Sequence, residues 1–129
     1  MTAPYPARFA FLKLVVPDLQ AAARFYRAVF GYGEGQFVAS TIAELPMEEI
    51  IFAKPEGGTE LILLAYPGGP APSPSGVIAG FATADLEAFQ ARVLAAGGSV
   101  VQAIKPLGAG GRFAFFADPA GWVMEVIER

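Results

Sequence analysis

The chain contains no histidine and no cysteine. The lack of histidine excludes Ser-His and Cys-His nucleophile pairs and imidazole metal ligands. The lack of cysteine excludes disulfides, thiolate nucleophiles and zinc knuckles. Only 16% of the residues are charged, and the nine basic side chains are scattered among twelve acidic ones, which gives no electrostatic footprint for nucleic acid. These absences argue against a nucleic-acid partner and against the commonest nucleophilic and zinc chemistries.

Hydrophobic residues are abundant instead. They make up 54% of 129 residues, above the usual share of about 45–50%. This length suits a single domain over residues 1–129, and the apolar excess suggests that a second subunit covers apolar surface in a homodimer. No apolar run approaches the ~18 residues of a membrane span, and the opening residues lack a signal peptide's apolar core. We therefore expect a soluble cytoplasmic protein with no membrane partner.

The sequence contains an internal repeat. The segments Val16–Leu19 and Thr83–Leu86 both place an aspartate, Asp18 or Asp85, between an apolar run and a helix-forming run. A carboxylate at that point caps the free amides of a helix start. Gly31 follows Asp18, and Gly98 follows Asp85, at the same distance along the sequence. A glycine is expected at that point because it can end a helix in the left-handed conformation. Each repeat therefore contains one helix in the same place.

One apolar, strand-like run precedes each helix and three strand-like segments follow it. Each repeat is therefore predicted to have the order β-α-β-β-β. The predicted strands are Gln36–Ser40, Glu49–Ala53, Thr59–Tyr66, Ser99–Ile104, Arg112–Ala117 and Trp122–Ile127. Lys54–Gly58 and Asp118–Gly121 have the proline and glycine positions of tight turns. Residues 67–76, rich in proline and glycine, separate repeat one (about 9–66) from repeat two (about 77–128).

Two segments carry a family resemblance. The run Phe25–Tyr32 (FYRAVFGY) and the ending Phe116–Val126 (FADPAGWVMEV) resemble the vicinal oxygen chelate superfamily, which comprises glyoxalases, bleomycin-resistance proteins and extradiol dioxygenases. The resemblance implies an α+β fold in which two βαβββ repeats form a curved, half-open barrel around a cavity, usually in a dimer. It also implies four metal ligands in metal-dependent members: a residue, commonly His, on the first strand of each repeat, and an acidic residue on the last.

Carried over to this sequence, the two acidic positions fall on Glu60 and Glu125, whereas the first-strand positions fall on Phe11 and Ile78. Two carboxylates alone form a poor site for zinc, nickel or iron. We therefore expect no metal cofactor, with a hard cation such as Mg²⁺ or Mn²⁺ as the alternative.

Strand alternation predicts which side chains share the cavity with these positions. The candidate ligand-binding residues are Phe11, Lys13, Ile62, Tyr66, Ile78, Arg112 and Trp122, and the candidate catalytic residues are Lys13, Glu60 and Glu125. Lys13 either forms a structural ion pair with one of the two glutamates or neutralises one so that the other acts as a general base. Arg112 is either solvated or grips a ligand anion, and Trp122 either stacks on a ligand or packs in the core.

These features support two functions. The first is metal-free binding of an apolar or aromatic small molecule, as in the bleomycin-resistance branch. The second is a glyoxalase-like lyase or isomerase acting on a small carbonyl compound, with Glu60 and Glu125 as metal ligands or as acid and base. Extradiol dioxygenase activity is disfavoured because its two-His facial triad cannot be assembled. Whether the repeats pair within one chain or between two subunits stays open.

Overall fold

The structure, a computed structural model, describes residues 10–52, 60–69, 73–108 and 110–129. The first repeat contains β1 (Phe11–Val15), α1 (Leu19–Phe30), β2 (Gln36–Ile42), β3 (Leu45–Ile51) and β4 (Glu60–Ala65). The second contains β5 (Ala79–Thr83), α2 (Leu86–Ala95), β6 (Ser99–Pro106), β7 (Arg112–Ala117) and β8 (Val123–Glu128). The predicted α+β fold built from two β-α-β-β-β repeats is confirmed.

Each repeat forms its own four-stranded sheet, in the order β1-β4-β3-β2 and β5-β8-β7-β6. In both sheets the first strand runs parallel to the last, and the other strands are antiparallel. Strand hydrogen bonds do not join the two sheets within the described ranges, which agrees with a half-open barrel rather than a closed one.

Both helices begin as the aspartates predict. The Asp18 side chain accepts a hydrogen bond from the amide of Ala21, and Asp85 does the same for Ala88. Gly31 ends α1 in the left-handed conformation, with φ 75°. The second helix also ends at the predicted glycine pair: α2 stops at Ala95, Ala96 is its C-cap, and Gly97 follows with φ 91°. No helix in the described part of the chain is long and apolar enough to cross a membrane.

One apolar core joins the repeats. It contains buried side chains from the helix-covered faces of both sheets and from both helices. Its largest fully buried members include Phe25, Tyr26, Phe52, Leu63, Leu86, Phe116, Met124 and Val126. The helices therefore lie where the two repeats meet.

A buried carboxylate links the repeats. Asp118, only 4% exposed, accepts a 2.8 Å hydrogen bond from the hydroxyl of Tyr26 in α1. Its other oxygen accepts from the backbone amides of Ala120 and Trp122, both at 2.9 Å. The Trp122 indole in turn donates to the carbonyl of Val15 at 3.0 Å. Burial, reinforced by the Asp118 charge, holds the pKa of Tyr26 well above its usual value.

The hairpin between β2 and β3 differs from its prediction. The predicted strands Gln36–Ser40 and Glu49–Ala53 left a longer connection, but the observed strands meet at a two-residue turn formed by Ala43 and Glu44. Both turn residues have positive φ, 49° and 69°, as a type I′ turn requires. Neither residue type signals that conformation, and this explains the error.

The remaining boundaries differ in small ways. Arg112–Ala117 is observed as predicted, and β6 continues from the predicted Ile104 to Pro106. The last strand starts one residue later than predicted because Trp122 belongs to the Asp118 turn. Ala53 at the end of a predicted strand, the predicted Lys54–Gly58 turn, Thr59, and residues 70–72 of the linker lie outside the described residues.

Tyr26→Phe tests the link between the repeats. The substitution removes one donor from a buried carboxylate, so the free energy of unfolding should fall by about 1–3 kcal/mol in urea titrations. Tyr32→Phe is the matched control, since the Tyr32 hydroxyl makes no hydrogen bond to any described side chain or backbone group. An equal effect of the two substitutions would contradict the importance of this link.

The double substitution Ala43→Asn, Glu44→Gly tests the hairpin turn. Asparagine and glycine adopt positive φ at low cost, so we expect unfolding to require about 1 kcal/mol more free energy. Ala91→Gly, placed in α2, is the control and should lower stability by about 1 kcal/mol. A drop in stability for the double variant would mean that the turn does not have the described conformation.

Candidate functional site

Each sheet has one face covered by the core and one turned away from it, here called the open face. On the open face of the second sheet, four side-chain positions form a row across the strands: Gln102 on β6, Phe115 on β7, Glu125 on β8 and Gly80 on β5. All but Gly80 are half-buried. Glu125 therefore lies between an aromatic ring and a position without a side chain.

Both ends of this row have unused binding capacity. The Nε2 atom of Gln102 is buried and has no hydrogen-bond partner. A buried amide without a partner costs free energy, and such groups are rare in folded proteins. At the other end, a Cβ added at Gly80 would meet no atom within 4 Å. The row thus combines a buried donor without a partner, an aromatic surface, a carboxylate and open space.

A second row lies beside the first. Lys105, Phe113, Ile127 and Ala82 follow one another across β6, β7, β8 and β5. The Lys105 ammonium lies 5.7 Å from the centre of the Phe113 ring, and the Phe113 and Phe115 rings meet edge to face at 5.9 Å. Together the two rows form an apolar, aromatic shelf with few polar groups, the usual composition of a small-molecule site.

The open face of the first sheet carries an ion pair. The Lys13 ammonium on β1 lies 2.9 Å from a carboxylate oxygen of Glu49 on β3. The Glu49 side chain is 8% exposed and that of Lys13 31%. Lys13 also lies 5.7 Å from the centre of the Phe11 ring. Because Glu49 is almost fully buried, loss of its partner would leave an uncompensated charge.

This pairing corrects the prediction for Lys13. The sequence suggested Glu60 or Glu125 as its partner, but the ion pairs formed by the described residues include neither. On β4, Lys13 is aligned with Ile62 and Glu49 with Leu64, two residues further along. Side chains two residues apart on a strand point to the same face, so Lys13 and Glu49 share a face. Strand alternation within β1 could not reveal this, since it depends on the register of three strands.

The positions that hold metal in the family do not fit a metal here. Glu60 lies opposite Phe11 in the parallel β1–β4 pair, and Glu125 lies opposite Gly80. The first-strand positions Phe11 and Ile78 are 49% and 59% exposed and offer no ligand atom. Two carboxylates on separate sheets, each beside groups that cannot coordinate, do not make the nitrogen-rich site that zinc, nickel or iron prefers.

Arg112 lies away from the open face. It is on the helix-covered side of β7, where its guanidinium contacts both Glu87 oxygens at 2.6 and 2.7 Å and both Glu128 oxygens at 2.9 Å. These bonds hold the pKa of both glutamates below the usual value and raise that of Arg112. The sequence suggested that Arg112 is either solvated or bound to a ligand anion. Both suggestions are wrong, and Arg112 has a structural role.

The same contacts account for an acidic group. Asp85, Glu87 and Glu128 are the carboxylates, among the described residues, that cluster closely enough to hold an ion. The Arg112 guanidinium already compensates two of them, and the third caps α2. We assign this group a structural role.

Of the other predicted ligand-binding residues, Ile62 is where strand alternation predicts it: it lies opposite Lys13 in the β1–β4 pair and is 4% exposed. Trp122 is instead buried in the core and anchored to Val15. Tyr66 is half-buried directly after β4. A pocket of about 150 Å³ lies between the first turn of α1 and the Asp118–Ala120 turn, and no predicted site residue lines it.

Sequence reasoning missed Gln102 and Glu49. No local pattern could identify Gln102, because the register between β6 and β7 shifts on both sides of it. Its orientation therefore cannot be counted from the ends of the strand.

These observations define the class of protein: two β-α-β-β-β units whose open faces carry the candidate binding groups. The sequence model of the Glyoxalase/Bleomycin resistance protein/Dioxygenase superfamily matches residues 8–126, and the chain belongs to this superfamily. A search of curated protein sequences gave no match.

Solved structures show the same fold. A glyoxalase-related enzyme from Fulvimarina pelagi has a TM-score of 0.71 and 23% identity, with 95% of this chain and 88% of that chain covered. A glyoxalase/bleomycin resistance protein from Albidiferax ferrireducens T118 has a TM-score of 0.68 and 25% identity, with coverages of 94% and 98%. Glyoxalase I from Zea mays has a TM-score of 0.72 and 22% identity, and the match covers 98% of this chain but 48% of that one.

Arg112→Gln tests the structural role of the arginine. The pKa values of Glu87 and Glu128 are lowered in the folded protein, so their contribution to stability is present above the unfolded pKa of about 4.5. It is lost as the pH falls through the folded values. The stability difference between wild type and variant should therefore be present at pH 7 and shrink below about pH 4.5 in urea titrations.

Arg24→Gln, on an exposed position of α1, is the control and should show no such pH dependence. A difference for Arg112→Gln that stays constant down to low pH would contradict the role assigned to these contacts.

Proposed function

We propose that this protein binds an apolar or aromatic small molecule on the open face of the second sheet, without a metal cofactor. The observation that carries the proposal is the row in which the unpartnered Nε2 of Gln102, the Phe115 ring, Glu125 and the open space at Gly80 follow one another. A small-molecule site typically combines an apolar surface with a few polar groups that fix orientation.

The row indicates the chemistry of the ligand. A flat apolar body would stack on Phe113 and Phe115, and the buried Gln102 amide, once its side chain turns outward, would donate to a carbonyl or ether oxygen. A donor such as an amide or hydroxyl would bind the carboxylate of Glu125, in a charge-assisted hydrogen bond. The bulk of the ligand would extend over Gly80, where there is room for it.

The donor groups favour binding without metal. Glu60 and Glu125 are the acids at the family's metal positions, and neither has a nitrogen ligand beside it. The glyoxalase-like lyase or isomerase needs these acids to hold Mg²⁺ or Mn²⁺, or to act as an acid and base pair.

Gly80→Leu and Glu125→Met test the site with benzamide, whose ring, carbonyl and amide match the row. Saturation-transfer NMR should show binding to wild type, loss of binding to Gly80→Leu, and binding weakened about tenfold or more for Glu125→Met. Gly33→Leu is the matched control because Gly33 also faces open space. Equal binding by all four proteins would refute the proposed site.

Metal content separates the two functions. Protein purified without chelator or affinity tag is analysed by mass spectrometry beside the Glu60→Gln, Glu125→Gln double variant. We expect no stoichiometric metal in either. One metal per chain that is lost in the double variant would overturn the metal-free proposal and favour the lyase or isomerase.

A further inference from the structure

The free edge of β2 is an exposed strand edge without protection. β2 is the last strand of the first sheet, and its seven residues, QFVASTI, include no charge and no proline. Its register with β3 is continuous from Gln36 to Ile42, so no bulge twists the edge away. Folded proteins normally protect such edges with charges, proline, bulges or short length, because an open edge pairs with other strands.

The other edge strands of this chain have that protection. β6, at the outer edge of the second sheet, contains Lys105 and Pro106 and two register shifts against β7. β1 and β5 are only five residues long. The lack of protection at β2 is thus a particular property of this strand.

The hairpin turn determines which backbone groups face outward. In a two-residue hairpin the pair next to the turn, here Ile42 and Leu45, exchanges both hydrogen bonds, and every second pair does the same. The amides and carbonyls of Phe37, Ala39 and Thr41 therefore point to the free edge. Within the described residues no strand pairs with them.

We propose that β2 pairs antiparallel with β2 of a second copy of this chain, centred on Ala39. In this register Ala39 lies opposite Ala39 of the partner subunit, and Phe37 opposite the partner's Thr41. The three outward residues of each copy then all find partners, and the two sheets become one eight-stranded sheet related by a two-fold axis.

The charges and the apolar surface of the hairpin fit a second copy. Because β2 is uncharged, pairing it with itself opposes no like charges. The charge next to Ala39 on β3 is Glu48, and the two copies of Glu48 would lie three strand spacings apart, about 14 Å, beyond the Debye length. Phe37, Ile42 and Leu45 are 54%, 36% and 59% exposed, and the paired hairpins would cover part of this apolar surface.

Ala39→Lys and Ala39→Glu test the pairing through charge. In Ala39→Lys the new ammonium lies beside Glu48 within its own hairpin, which supports the fold, but faces the same charge across the two-fold axis. Analytical ultracentrifugation should show that each variant halves the mass of the wild-type assembly and that mixing the two variants restores it. Ala103→Lys, on the protected edge strand β6, should leave the mass unchanged.

Hydrogen exchange tests the same contact in the wild-type protein and does not depend on a variant. The amides of Phe37, Ala39 and Thr41 should exchange slowly at high protein concentration and quickly on dilution. Those of Val38, Ser40 and Ile42, bonded to β3, should stay protected throughout. A monomeric wild type, an unchanged mass for both Ala39 variants, or fast exchange at all three outward amides would overturn the proposal.

This test is independent of the small-molecule site. Glu125 and Gly80 lie on the second sheet, whereas the paired edge belongs to the first. Benzamide should bind equally to wild type and to Ala39→Lys, so failure of one proposal leaves the other standing.

Discussion

The Asp118 carboxylate determines how the two repeats fit together. A charge that is 4% exposed must be compensated by hydrogen bonds, and Asp118 accepts from the Tyr26 hydroxyl and from two amides of its own turn. Tyr26 lies in Phe25–Tyr32 and Asp118 in Phe116–Val126, and these are the two segments that carry the family resemblance. The two sequence motifs are therefore two halves of one contact, which explains why they occur together in this chain.

The candidate site depends on this contact through β8. The Asp118 turn also holds the amide of Trp122, whose indole is bonded to Val15 in the other repeat. The strand that follows is thus fixed in position and rotation. Alternation then directs Met124 and Val126 into the core and leaves Glu125 on the open face. A turn longer or shorter by one residue would reverse that alternation and bury the carboxylate.

Local signals made much of the fold predictable. Asp18, Asp85 and Gly31 act at the helix ends through contacts with their own neighbours in sequence, so their roles could be inferred from spacing. The β2–β3 turn could not, because Ala43 and Glu44 adopt positive φ without a favourable residue type. The conformation is imposed by strands that pair over seven residues, and the pairing outweighs the local cost.

The candidate site was harder to predict because its groups belong to different strands. The Glu49 partner of Lys13, the Glu87 and Glu128 partners of Arg112, and the orientation of Gln102 all depend on register or on helix placement.

The distribution of compensating charge also distinguishes the candidate site from the structural carboxylates. Glu49, Glu87, Glu128 and Asp118 each have a cationic or hydrogen-bonding partner that accounts for their position. Glu125 lies between Phe115 and the vacant side of Gly80, and the described residues give it no such partner. A donor would stabilise the half-buried Glu125 carboxylate, and an acceptor would stabilise the Gln102 amide, which lies two strands away in the same row. A ligand that supplies both would satisfy these two groups at once.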